Sequence, residues 1–122
     1  MTGIIDFHTH AFPDQLAAVA IPALETQGHV KAALAGTVDD LLASMDRAGV
    51  ETSVVCSIAT RPAQFEAILG WSRKIRSSRL IPLPSVHPAG PQAAAQVTRI
   101  RAEGFQGIKL HPYYQEFAID EE

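Results

Sequence analysis

One cysteine stands in the 122 residues, Cys56, so the chain cannot close a disulfide within itself. No apolar run approaches the ~20 residues that cross a bilayer, since a stretch such as VAIPAL is short and broken by Pro22. A basic excess is missing as well. Ten Lys and Arg against thirteen Asp and Glu give a formal charge of −3, which leaves no cationic stripe to hold phosphates and speaks against a nucleic-acid partner. The opening MTGIID lacks the basic and apolar regions of a signal peptide. These absences together describe a soluble cytoplasmic protein that binds neither nucleic acid nor a membrane.

What is present is a hydrophobic content of 47%, enough for the core of one domain spanning residues 1–122. GIIDF reads as a buried parallel strand, apolar on both faces. AFPDQLAAVAIPALETQG follows, with Asp14 as a candidate N-cap and two short helical pieces separated by Pro22, ending near Gly28. TVDDLLASMDRAGV is a cleaner helix. Thr37 and Asp40 resemble a capping box, Val38, Leu41, Leu42 and Met45 form an apolar stripe, and Gly49 supplies the stop.

Strand and helix then alternate. ETSVVCSIA is followed by RPAQFEAILGWSRKIRS, with Phe65, Ile68, Leu69 and Ile75 on one side. LIPLPSVHP, despite Pro82 and Pro84, is followed by PQAAAQVTRIRAEG with Ala93, Val97 and Ile100 inward. FQGIKLHP is a fourth strand, and YYQEFAIDEE begins where another helix could start. Strands beginning near Ile4, Thr52, Leu80 and Gly107, each trailed by a helical pattern, predict an α/β fold of parallel βα units with right-handed crossovers.

In such folds ligands bind at the carboxyl ends of the strands. His8 and His10, Ser57, His87, Lys109 and His111 all fall there, while His29 does not. Because side chains alternate along a strand, Asp6, His8 and His10 are expected on one face, and Gly107, Lys109 and His111 on one face of theirs. Two imidazoles two residues apart can take adjacent positions on one zinc or other divalent ion. Their alternative is a pair of rim histidines satisfied by nearby backbone. A catalytic zinc uses three protein ligands, so His87, His111 or a modified Lys109 is a candidate third. Asp6 reads as an acceptor that fixes an imidazole tautomer, or as a partner for backbone amides. Cys56, Trp71, Tyr113 and Tyr114 read as packing residues.

IIDFHTHAFPD, MDRAGVETSVVC and GFQGIKLHP, in this order, resemble the amidohydrolase superfamily, specifically its amidohydrolase-2 group, which includes aminocarboxymuconate-semialdehyde decarboxylase. The likeness runs from Ile4 to about Ile119. It implies a TIM (β/α)8 barrel with a divalent metal, usually zinc, held in part by His8 and His10. The expected substrate is a small carboxylate or carbonyl compound: Lys109 reads as a contact to an anionic substrate group or as a snorkelling lysine, and His111 and His87 read as substrate contacts or as ordinary loop starts before proline. A lysine on the fourth strand is a carbamylated bridging ligand in some binuclear members of the wider superfamily.

A whole barrel takes about 250 residues, so four βα units correspond to its N-terminal half, and the family's main catalytic residues belong to the other half. The expected activity of the parent is metal-dependent hydrolysis. Alternatives are non-oxidative decarboxylation of an unsaturated or aromatic acid, and an inactive chain acting as a metal-free binding or assembly module. Open strand edges in a half barrel predict a homodimer.

Overall fold

The structure, a computed structural model, describes residues 3–120. Three strands, β1 (Ile4–Thr9), β2 (Val50–Cys56) and β3 (Leu80–Leu83), form one parallel sheet in the order β1-β2-β3. Five helices accompany them: α1 (Asp14–Gly28), α2 (Val38–Ala48), α3 (Phe65–Ile75), α4 (Ala93–Ala102) and α5 (Pro112–Gln115). The chain is therefore an α/β protein of parallel βα units. Among the described residues no helix is long and apolar enough to cross a membrane.

Helix α2 follows its sequence signals closely. Thr37 accepts the Asp40 amide at 3.2 Å, Gly49 closes the helix in the left-handed region at φ 69°, and Leu41 and Met45 are buried. Helix α1 departs from expectation: it is one helix, with Pro22 inside it. Pro22 forfeits a single backbone donor, and the helix continues past it, with the Thr26 hydroxyl donating to the Pro22 carbonyl at 3.0 Å. Its N-cap is Pro13, Asp14 is the first helical residue, and His29 at φ 52°, beyond Gly28, makes the left-handed stop.

Two hydrophobic clusters hold the layers together. Ala11, Leu41, Met45, Val55, Ile75 and Leu80 form one, and Phe65, Leu69, Val86, Ile100 and Phe105 the other. Of the residues expected inward on α4, Ile100 is buried and Ala93 packs on the second cluster, but Val97 is 38% exposed. Strand β1 is also more open than its composition suggests. Ile4, Ile5 and Phe7 are 54%, 60% and 73% exposed, because β1 is the edge strand and no described element covers its far side. Asp6, expected to be buried, is exposed for the same reason.

The expected fourth strand is not formed as one. Residues 105–111 are not paired as a strand, yet the Lys109 amide donates to the Pro84 carbonyl at 2.8 Å, alongside β3. The cause lies in β3. The main-chain amides of Ser53 and Ser57 donate to the carbonyls of Arg79 and Leu83, so odd-numbered residues there face β2, and Pro82 and Pro84 turn the other way. A proline offers a carbonyl but no N–H. The second half of each ladder step is lost, and the Ser85 hydroxyl substitutes in part, donating to the Lys109 carbonyl at 2.7 Å.

Candidate metal and substrate site

The carboxyl ends of β1 and β2 converge on His8, His10 and Cys56. The register between these strands jumps from Asp6↔Ser53 to Thr9↔Val55, three steps on β1 against two on β2. The extra residue bends the strand just before its histidines. Thr9 is buried and its hydroxyl donates to the Val54 carbonyl at 2.8 Å, pinning the bend. On either side of it, the His8 and His10 rings lie with centroids 5.1 Å apart and planes at 63°.

That spacing suits a shared ion. With zinc to nitrogen at about 2.05 Å, and roughly 1.1 Å more to the ring centre, two imidazoles at a tetrahedral angle have centroids about 5.2 Å apart. His10 has a second qualification. Its Nδ1 is 2.9 Å from the Cys56 carbonyl oxygen; a carbonyl only accepts, so Nδ1 carries the proton and the Nε2 lone pair is free. Although His10 exposes surface to solvent, protein crowds its ring, and this desolvation is the largest cause holding its pKa below 6.5. The Cys56 contact pulls the other way, while the positive charges of His8, Lys109 and His111 add to the lowering.

His111 has the opposite polarity. Its Nδ1 accepts the Tyr114 amide at 3.4 Å and its ring packs on Tyr114 at 4.4 Å. The neutral ring therefore carries its proton on Nε2, which makes that nitrogen a hydrogen-bond donor. Lys109 is anchored through its main chain to Pro84 and Ser85, and its charge reaches both His10 and Cys56. His87 serves its own loop, accepting the Ala89 amide at 3.2 Å. It lines a separate cavity of about 450 Å³ with Leu110, Glu116, Phe117 and Ile119. Asp6 accepts the main-chain amide of His8 at 3.2 Å, the backbone role of the two open to it.

Cys56 is buried, and desolvation raises its pKa above 9.0 against the opposing Lys109 charge, so it behaves as a small core residue. Trp71 packs on the first cluster and donates from Nε1 to the Ala11 carbonyl at 2.9 Å. Among the described residues no group of three His, Cys, Asp or Glu side chains gathers to hold a metal.

Gln115 was not singled out by sequence reasoning, and it ties the site together. It is 2% exposed. Its Nε2 donates to the carbonyls of Ala59 at 2.8 Å and Val86 at 2.9 Å, while Oε1 accepts the His111 amide at 2.7 Å. One amide thus joins the loops after β2 and β3 to the segment carrying Lys109 and His111. The available signal was its place at the end of the single turn opened by Pro112. Comparison with protein-family models, with curated proteins and with solved structures finds no match to this chain.

Proposed function

We propose that this chain carries the first-strand part of a metal-dependent hydrolytic centre of the amidohydrolase type, on three paired parallel strands and a half-zipped fourth segment equivalent to the N-terminal half of a (β/α)8 barrel. The observation that carries the reading is the His10–Cys56 contact, which presents a neutral imidazole with Nε2 free beside a second imidazole at the spacing a shared ion requires. When bound, a divalent ion lowers the pKa of a coordinated water and polarises a carbonyl.

His8 and His10 hold the ion, and the Cys56 carbonyl keeps the His10 ring from rotating. Lys109 supplies positive charge for a substrate carboxylate, and the His111 Nε2–H donates to a substrate oxygen. Gln115 holds the segment bearing both in register with the strand ends. The substrate class is therefore a small carboxylate with a hydrolysable carbonyl. One observation favours the inactive-module reading instead: no third ligand joins the two histidines among the described residues.

Zinc binding by the EDTA-treated chain, read by calorimetry and histidine NMR with a small carboxylate added as substrate mimic, tests the proposal. Zinc should shift the His8 and His10 resonances, His10→Ala should abolish its binding, and Lys109→Met should weaken the carboxylate. No zinc binding, or binding indifferent to His10→Ala, sinks it.

A further inference from the structure

We infer that the Thr9 hydroxyl sets the separation of the His8 and His10 rings, and through it their affinity for a zinc-class divalent ion. Thr9 is then a positioning residue, and the inference rests on the reading of the two histidines as ligands. Residues two apart on a regular strand stand about 6.6 Å apart, further than the roughly 5.2 Å between ring centres that suits a shared tetrahedral ion. An unbent strand end of this sequence holds its two imidazoles too widely. The centroids lie 5.1 Å apart, so the strand itself closes the gap.

The closure is centred between the two rings. Thr9 is 8% exposed, whereas both histidines are open to solvent. Its hydroxyl donates to the Val54 carbonyl at 2.8 Å, and this anchor falls in the stretch where β1 takes three steps against two on β2. An extra residue of this kind bends the strand that carries it. On one side of the anchor the His8 amide donates to the Asp6 carboxylate at 3.2 Å, and on the other the His10 Nδ1 meets the Cys56 carbonyl at 2.9 Å. Val54 and Cys56, two residues apart on β2, are thus held by the side chains of consecutive residues on β1. Valine has the shape of threonine but no donor, while serine keeps the hydroxyl. Thr9→Val therefore releases the anchor and leaves both imidazoles in the chain.

Two measurements test this: the nuclear Overhauser effect between the His8 and His10 ring protons in the metal-free chain, and the zinc Kd from calorimetry. Thr9→Val and the smaller Thr9→Ala should weaken the ring contact and raise the Kd about tenfold, the order found when a group that orients a metal ligand is replaced. Thr9→Ser should keep both near the unaltered values. Circular dichroism identifies a variant that fails to fold, and proton exchange at the Thr9 hydroxyl of the unaltered chain, expected to be slow, tests the anchor without any substitution. Ring contact and Kd unchanged in Thr9→Val or Thr9→Ala overturn the inference and leave the proposed metal centre standing. So does a Thr9→Ser as impaired as Thr9→Val, or a Thr9 hydroxyl that exchanges freely. No zinc binding by the unaltered chain overturns the metal centre and the affinity claim together, while the metal-free ring contact still decides what Thr9 holds.

Discussion

The Nδ1 of His10 lies 2.9 Å from the carbonyl oxygen of Cys56, 46 residues away on the neighbouring strand. The contact sets both the direction of a lone pair and the charge of a ring. Nitrogen-detected NMR should find His10 neutral with its proton on Nδ1, titrating below 6.5. Because the folded pKa is depressed, the unfolded chain binds this proton more readily. The stability contributed by the neutral ring is complete above about pH 6.5 and is lost as pH falls through the lowered folded value. A midpoint above 6.5 in the metal-free protein would contradict the geometry.

Gln115→Leu removes an amide that satisfies two buried carbonyls and the His111 N–H. Orphaned buried groups cost about 1–3 kcal/mol each, with relaxation recovering part of the sum. Denaturant unfolding should show a loss of about 3 kcal/mol, and a change within about 0.5 kcal/mol would mean that the amide joins nothing that matters.

Ser85→Ala deletes the hydroxyl that stands in for the missing proline donors. The expected loss is about 1 kcal/mol. Hydrogen exchange should accelerate selectively at the Lys109 amide, which remains bonded to Pro84 but loses its neighbour. Uniform acceleration along the chain would point to global destabilisation instead.

Leu69→Ala and Val97→Ala are a matched pair, both apolar truncations on helices. Leu69 is fully buried in the second cluster, whereas Val97 is 38% exposed. Thermal and denaturant unfolding should give about 3 kcal/mol for the first and no more than about 0.5 kcal/mol for the second. Equal costs would mean that α4 buries the face assigned to it by periodicity.

Local chemistry carries over from sequence to structure with little change. Thr37, Gly49 and the Leu41–Met45 stripe define α2 because caps and periodicity act within a few residues. The parallel order of three strands follows from the βα alternation. Features that depend on distant neighbours are harder to read. Ile5 and Phe7 look like core residues until β1 is known to be the edge, since apolarity does not encode what lies alongside. Gly107–His111 has the pattern of a strand, but its pairing depends on donors that Pro82 and Pro84 lack. At the site, the spacing of His8 and His10 foretold their proximity, whereas the tautomers of His10 and His111 depend on partners on other segments.

The two prolines of β3 also give the sheet a direction of growth. Beyond Pro82 and Pro84 the segment 105–111 already lies half-zipped through the Lys109 amide and the Ser85 hydroxyl, while β1 ends the sheet at the opposite margin. Any strand that recruits to this protein, whether native partner or aggregating neighbour, should arrive from the histidine side.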